Sequence, residues 1–128
     1  MKTYLAVGIG GVIGSCLRYI LSLLFLSDGF STFPWATLTV NLTGAFLLPF
    51  IMFHPAIKVR MHPLIGSALT TGLIGSYTTF STITVEVVHL FQTTLFLAII
   101  YLLVTIFGGL FCSFLGYRSA QKFAKEEM

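Results

Sequence analysis

The stretch "GSYTTFSTI" (75–83) places polar side chains in the middle of one of the longest apolar segments of the chain. Five of its nine residues are serine or threonine, and a tyrosine adds a sixth hydroxyl group. If a membrane helix breaks here, backbone carbonyls become free at membrane depth. Such carbonyls are tolerated only where they are buried in protein, line a wet cavity or bind an ion. In an unbroken helix the same hydroxyls would bond back to the preceding turn.

The whole chain has the composition of a membrane protein. It contains 128 residues, of which 9% are charged and 56% are hydrophobic, a balance too apolar for a soluble domain of this size. Each crossing of a hydrocarbon core about 30 Å thick needs roughly 20 helical residues. Four segments are long enough, at about 4–26, 35–53, 63–90 and 93–117. The sequence therefore predicts an all-α integral membrane protein with four transmembrane helices in a single domain, 1–128.

The third of these segments is too long for one straight crossing. A continuous helix over 63–90 would be about 42 Å long. Gly66, Gly72 and Gly75 lie before or at the start of the hydroxyl-rich stretch. The length and the glycines agree with a broken third helix, while the residues alone leave the unbroken alternative open.

Basic residues are concentrated on one side of the predicted membrane. Six of the seven lie before the first segment, between the second and third, or after the fourth: Lys2, Lys58, Arg60, Arg118, Lys122 and Lys125. The positive-inside rule then predicts that both termini are cytoplasmic. The basic character therefore indicates membrane orientation and gives no reason to expect nucleic-acid binding.

Three polar residues lie inside the apolar segments. Arg18 and Glu86 are functional candidates because a charge at membrane depth is costly unless it faces a cavity or another charge. Arg18 would draw anions into a vestibule, and Glu86 would organise hydrogen-bond donors near the path. A buried ion pair, or snorkelling toward an interface, is the alternative for both. Asn41 offers two amide donors suited to an anion, and acts either as a clamp between helices or as a pore-lining donor.

Two further features concern a ring and a stripe of hydroxyl groups. The edge of the Phe80 ring carries partial positive charge that suits a dehydrated anion, although a phenylalanine in so apolar a chain more often serves packing. Tyr101, Thr105, Gly109 and Ser113 follow one another at four-residue steps on one face of the fourth segment. That stripe is either a hydrogen-bonding track or a set of contacts between helices.

The residue sets typical of an enzyme are missing from the sequence. The three histidines, His54, His62 and His89, are dispersed and have no metal-ligand spacing. Cys16 and Cys112 both lie in apolar helical segments, where cysteine behaves as a small hydrophobe. Neither a catalytic site nor a disulfide is predicted.

Three stretches match one known family in order and spacing. They are "GGVIGSCLRY" (10–19), "TLTVNLTGAF" (37–46) and "TTGLIGSYTTFSTITVE" (70–86), and together they resemble the small fluoride channels of the CrcB, or Fluc, family. The resemblance implies an antiparallel dimer of four-helix subunits in a prokaryotic cell membrane. It implies two narrow pores that pass fluoride out of the cytoplasm down its gradient and exclude chloride.

The resemblance also implies roles for single residues. Asn41 would be the pore-lining amide, and Phe80 one of the phenylalanines at the edge of the pore. The remaining polar track would comprise Ser81, Thr82, Tyr101 and Thr105, while Arg18 and Glu86 match positions that the family usually fills in the same way. Gly75 and Thr78 would offer backbone carbonyls to a structural Na⁺ at the centre of the dimer, where both subunits meet.

Two residues depart from the family pattern. Ile83 stands where the family usually has the second phenylalanine of "TTFSTF", and Gly109 stands where the helix-four track often has a serine. Because each pore in the family takes its two phenylalanines from opposite subunits, a homodimer of this chain would have two incomplete pores. A chain that inserts in both orientations should also carry balanced basic residues, whereas this one has six against none. We therefore hypothesise a heterodimer with an oppositely oriented homologue.

Two other functions compete with that interpretation. Small multidrug transporters are also antiparallel pairs of four short helices, but they exchange protons through a carboxylate in the first helix, where this chain has Arg18 and no acid. The second alternative is an accessory subunit without a complete pore, which the departure at Ile83 keeps open.

Overall fold

The described part of the chain is almost entirely helical and contains no β-strand. The computed structural model describes residues 1–26 and 33–126. In chain order the helices are α1 (Lys2–Leu26), α2 (Trp35–Phe53), α3 (Pro55–Arg60), α4 (Pro63–Ser67), a π-helical segment (Ala68–Ile74), α5 (Gly75–Tyr77), α6 (Ser81–Thr93) and α7 (Leu95–Glu126). Among the described residues, α1, α2 and α7 are each long and apolar enough to cross a membrane as single helices.

The remaining predicted crossing is broken, as the length of the third segment indicated. It begins at Pro63, passes through the π-helical segment and α5, and leaves helical geometry at Thr78, which has φ −78° and ψ 158°. Helix resumes at Ser81. π-helical turns are rare, and those that occur are often found at functional sites. Here the π-helical segment directly precedes the break. The prediction of a broken third helix is confirmed.

Close approaches of backbone hold the first and third crossings together. A Cβ added at Gly10 would collide with the Ala68 carbonyl oxygen, and one added at Gly14 would collide with the Leu73 carbonyl oxygen. Gly116 has the same relation to Phe46, so α7 approaches α2 equally closely. Lipid provides little hydrophobic drive between helices, and small residues that let backbones meet are the usual solution.

A small core of buried residues joins α2, α6 and α7. Its members are Leu38, Ile83, Leu90, Ala98 and Tyr101. Ile83 is 9% exposed, whereas Phe80, one turn before it, is 82% exposed. Ile83 therefore packs inside its own subunit, and the Phe80 ring projects away from it.

The last turns of α7 lie beside the end of α2. The ring centroids of Phe53 and Tyr117 are 5.0 Å apart, and those of His54 and Phe123 are 5.3 Å apart. The α2–α3 junction and the last turns of α7 therefore share one end of the bundle. Its predicted cytoplasmic orientation stays a prediction.

Candidate functional site

The break in the third crossing leaves a run of backbone carbonyls without partners. Thr78 N–H still donates to the Ile74 carbonyl at 3.0 Å. The next carbonyls, those of residues 75 to 78, accept no hydrogen bond from any described residue. Gly75 is exposed and Thr78 half-buried. Unpaired carbonyls at membrane depth require an ion, water or another protein surface.

Asn41 fixes the break from the neighbouring helix α2. Its side-chain oxygen accepts a hydrogen bond from Thr79 N–H at 2.8 Å, and its Nδ2 donates to the Thr79 carbonyl at 3.0 Å. This reciprocal pair satisfies both backbone groups of Thr79, as a strand neighbour would. The second hydrogen of Nδ2 has no acceptor among the described residues. Asn41 thus joins α2 to Thr79, and one Nδ2 hydrogen is still available to donate a further hydrogen bond.

The hydroxyl group of Thr79 caps the start of α6. It accepts a hydrogen bond from Thr82 N–H at 3.2 Å, and lies 2.9 Å from the Thr82 hydroxyl and 3.3 Å from that of Ser81. Because a helix start has orphan N–H groups, such a cap stabilises it. Three hydroxyl groups therefore meet directly after the break.

Glu86 receives two hydroxyl donors, one on each carboxylate oxygen. Thr37 donates to Oε1 at 2.6 Å, and Tyr101 donates to Oε2 at 2.7 Å. Hydrogen bonds to an ionised carboxylate are shorter and stronger than neutral ones. Because the Tyr101 hydroxyl donates its hydrogen bond to Glu86, Tyr101 could donate to an anion only by giving up that bond.

Arg18 lines a recess on the same side of the bundle. The recess has a volume of about 280 Å³, and Thr37, Thr79 and Thr82 lie in its wall. Arg18 makes no ion pair with Glu86 in the described part of the chain. Arg18 therefore shares a recess with hydroxyl-bearing residues, while its role in drawing anions and the snorkelling alternative stay predictions.

A groove of about 390 Å³ runs along the other side of the break. Its wall includes Asn41, Thr78, Phe80, Thr105 and Gly109. The hydroxyl oxygen of Thr105 is buried and has no hydrogen-bond partner among the described residues. A Cβ added at Gly109 would meet nothing within 4 Å. Buried hydroxyl groups nearly always have a partner, so Thr105 indicates a partner that the described residues do not supply.

The structure brings most of the predicted site residues together around the break. Asn41, Phe80, Ser81, Thr82, Thr105, Gly75 and Thr78 lie at the break or along its groove, while Tyr101, Glu86 and Arg18 form the adjoining polar region. Sequence reasoning missed Thr37, which joins α2 to Glu86. Its position one helical turn before Asn41, on the same face of α2, was the available signal.

Comparison with protein families gives one match over most of the chain. The family model described as CrcB-like protein, Camphor Resistance (CrcB), matches residues 5–117. This range includes every residue of the break and of the groove.

Curated relatives resemble the chain over nearly their full lengths. One is the "Fluoride-specific ion channel FluC 1" of Desulfitobacterium hafniense, 46% identical over 88% of this chain and 97% of its own. Another is the "Fluoride-specific ion channel FluC 2" of Geobacillus kaustophilus, 44% identical over 96% of each chain. The "Fluoride-specific ion channel FluC" of Thermosipho melanesiensis is 36% identical over 88% of this chain and 91% of its own.

Proposed function

The chain belongs to the CrcB family, and from that premise we propose that it is a fluoride-selective channel of a prokaryotic cell membrane. It would release fluoride passively from the cytoplasm and so relieve fluoride toxicity. Hydrogen fluoride enters cells as a neutral acid and dissociates at cytoplasmic pH, so a passive exit path for the anion is sufficient. The protein is not an enzyme.

The observation that carries the proposal is a set of uncharged donors at an exposed helix break. Fluoride is small and strongly hydrated, so a pore must replace its water with several close donors that bind weakly enough to release it. The free N–H of Asn41, the hydroxyls of Ser81 and Thr82, and the edge of the Phe80 ring offer such contacts. Arg18 adds attraction from the side of the hydroxyl cluster without needing to contact the ion.

A structural Na⁺ is the cofactor that fits the break. Sodium takes oxygen ligands, and the described residues contain no group of histidine, cysteine or carboxylate side chains that would hold a metal. The unpaired carbonyls of Gly75 and Thr78 supply oxygen without charge. Bound there, the ion would balance the carbonyl dipoles of two subunits at the centre of a dimer. Gly75 and Thr78 of this chain would each contribute a backbone oxygen.

The proposed partner is an antiparallel homologous subunit, with membrane lipid around the pair. The exposed ring of Phe80 supports this, because it has little to pack against in its own chain. Ile83 borders the same groove but packs in the subunit's own core at 9% exposure, and its aliphatic side chain offers no second ring edge there. The six basic residues on one predicted face favour a fixed orientation, with both termini cytoplasmic, and hence a heterodimer over a homodimer.

The two competing functions have unequal support. Nothing in the comparisons favours a multidrug transporter, and α1 carries no carboxylate. An accessory subunit without a complete pore agrees with the departures at Ile83 and Gly109, and it differs from the main proposal only in whether the chain conducts at all.

Fluoride efflux from liposomes tests the proposal directly. The chain is purified alone and together with a co-expressed homologue, and efflux is followed with a fluoride electrode against a chloride control. Rapid fluoride efflux and negligible chloride efflux from the mixed pair are expected, with slower efflux from the chain alone. If the purified homodimer releases fluoride as fast as the mixed pair, the heterodimer proposal is wrong. If neither preparation releases fluoride, the channel proposal is wrong.

A substitution at Ile83 separates the accessory alternative from the channel. Ile83→Phe restores the family aromatic, but its side chain must enter a core that is already filled, at a cost of about 1–3 kcal/mol. If the chain alone gains fluoride efflux with this change, the missing ring limits its pore. Ile83→Val is the control that keeps the site apolar and adds no ring.

A further inference from the structure

Helix α7 is longer than a membrane crossing requires. It has 32 residues, which corresponds to about 48 Å, against a hydrocarbon core of about 30 Å. If the helix enters the core at its first residue, the core ends near Phe114. Arg118 then lies about 6 Å beyond that level and Lys122 about 12 Å beyond it. The headgroup region is about 5–7.5 Å thick on each side, so Arg118 lies within it, and the long Lys122 side chain must extend back toward it.

One face of this extension carries positive charge, and the opposite face is packed. Ala120 is fully buried, and Tyr117 and Phe123 contact the end of α2. Arg118 and Lys122 are exposed and lie one turn apart. With Ser119 and Gln121 they line a surface depression of about 380 Å³. The basic face therefore points away from the subunit.

Arg118 is oriented by an aromatic ring from the preceding turn. Its guanidinium carbon lies 5.4 Å from the centroid of Phe114, within the range of a cation–π contact. Phe114 is itself 52% exposed, as a ring at the edge of the hydrocarbon would be. The ring keeps the guanidinium group along the helix at headgroup depth, where it lies near neither a described acidic residue nor the channel.

We propose that Arg118, Ser119 and Lys122 form a binding site for the phosphate of an anionic phospholipid headgroup. A guanidinium group donates two parallel hydrogen bonds to phosphate oxygens, a lysine adds a point charge, and a serine hydroxyl adds a neutral donor. The depth of the site selects a lipid over a soluble phosphate, because Phe114 beneath the cations is positioned to contact the lipid's apolar portion. The proposal depends only on membrane depth, so it stands apart from fluoride conduction and from the orientation of the termini.

Native mass spectrometry of the full chain in detergent tests this site. The probes are phosphatidylglycerol and the zwitterionic phosphatidylcholine, titrated against wild type and R118Q/K122Q. Each basic residue at a membrane surface contributes roughly fivefold to lipid affinity, so the double variant should lose at least about tenfold of its affinity for phosphatidylglycerol. K2Q/R60Q removes the same charge at the same predicted end and should change it less than about threefold. Fluoride efflux in phosphatidylcholine liposomes should be unchanged in R118Q/K122Q.

Additional variants keep the test decisive. The single change K122Q, at an exposed position, should lose part of the affinity even if the double variant does not fold. F114L should weaken binding while all charges are retained, since Arg118 loses its ring. If R118Q/K122Q and K2Q/R60Q lose equal affinity for phosphatidylglycerol, the lipid is held by general charge attraction and the proposal is wrong. Displacement of the lipid by millimolar glycerol phosphate, or a change of oligomeric state in R118Q/K122Q, would also overturn it.

Discussion

Two sides of the helix break differ in how fully one chain satisfies their polar groups. On one side, which we call the bonded wall, Thr37, Thr79, Glu86 and Tyr101 all have partners at 2.6 to 3.3 Å. On the other, the open wall, Thr105 has no partner within residues 1–26 and 33–126, and Gly109 presents no side chain. Asn41 belongs to both, since it clamps Thr79 and also lines the groove, and Thr79 itself borders the groove as well as the recess.

The difference distinguishes polar groups that the subunit itself satisfies from polar groups that need a partner outside it. Groups of the bonded wall are held in place before any ion arrives, which lowers the cost of ordering them around an anion. Groups of the open wall are satisfied only by water, by a passing ion or by a second subunit. Changes in the bonded wall should therefore lower stability, and changes in the open wall should alter conduction without a loss of stability.

Removing Asn41 should have the largest effect because this residue joins the two walls. Asn41→Leu leaves the N–H and carbonyl of Thr79 unpaired, at about 1–3 kcal/mol each, and deletes the available Nδ2 donor of the groove. We expect fluoride efflux to fall roughly hundredfold and the midpoint of thermal unfolding in detergent to fall with it. Thr43→Val is the matched control on α2: the Thr43 hydroxyl bonds back to its own helix and to Tyr77, neither residue lines the groove, and efflux should stay within about twofold. An Asn41→Leu protein that conducts normally would exclude the clamp from the pathway.

A pair of buried tyrosines tests the strength of the bonded wall. Tyr101 donates to a carboxylate at 2.7 Å, whereas the Tyr77 hydroxyl lies 2.9 Å from the neutral hydroxyl of Thr43. Hydrogen bonds to charged groups contribute about 1.5–3 kcal/mol and neutral ones about 0.5–1.5 kcal/mol. Tyr101→Phe should therefore lower the free energy of unfolding about twice as much as Tyr77→Phe does. Equal losses in a detergent unfolding titration would mean that the Tyr101–Glu86 hydrogen bond stabilises the fold no more than the Tyr77–Thr43 bond does.

The sequence was informative about the break and less so about what surrounds it. The length of the third segment and the hydroxyls of 75–83 indicated an interruption, and this was correct because both are local properties. The pairing of Asn41 with Thr79 depends on how closely α2 approaches the break across 38 residues of chain. No periodicity encodes that approach, and the residues therefore left Asn41 as a clamp or a donor with equal weight.

The orientation of Ile83 was beyond sequence reasoning for a related reason. Helix α6 restarts at Ser81, and each residue of shift in that start would turn every later side chain by about 100°. With this start, Phe80 is exposed and Ile83 is buried against Leu38 and Tyr101. Thr37 was overlooked because α2 holds three threonines, and only its position one turn before Asn41 distinguishes Thr37 from the others until its contact with Glu86 is known.

Thr105 offers a test in which conduction and stability should separate. Its hydroxyl is buried and has no partner in the part of the chain that the structure describes, so Thr105→Val removes an unsatisfied group and keeps the shape of the side chain. We expect fluoride efflux to fall about tenfold while the free energy of unfolding stays within about 0.5 kcal/mol of wild type or rises. Thr79→Val, from the bonded wall, should lose about 0.5–2 kcal/mol because it removes the cap of α6. A destabilised Thr105→Val protein would show that the hydroxyl has a hydrogen-bond partner. The open wall would then be as fully satisfied as the bonded wall.

Adding a hydroxyl to the open wall should give the smallest effect. Gly109→Ser places a side chain where nothing lies within 4 Å, and replacing a helical glycine with serine gains about 0.5 kcal/mol in helix propensity. Gly116→Ser makes the same substitution on α7, but there the new Cβ collides with the Phe46 carbonyl and should destabilise the protein.

The serine at 109 would extend the polar groove by one turn beyond Thr105, so fluoride efflux should rise by up to about threefold while chloride efflux stays negligible. The electrode assay distinguishes this from a general gain in folded protein when rates are normalised to reconstituted protein. If Gly109→Ser gains stability but leaves fluoride efflux unchanged, fluoride does not contact α7 at this depth. The open wall would then serve the second subunit and not the ion, and the unpaired hydroxyl of Thr105 would mark an interface in place of a pathway.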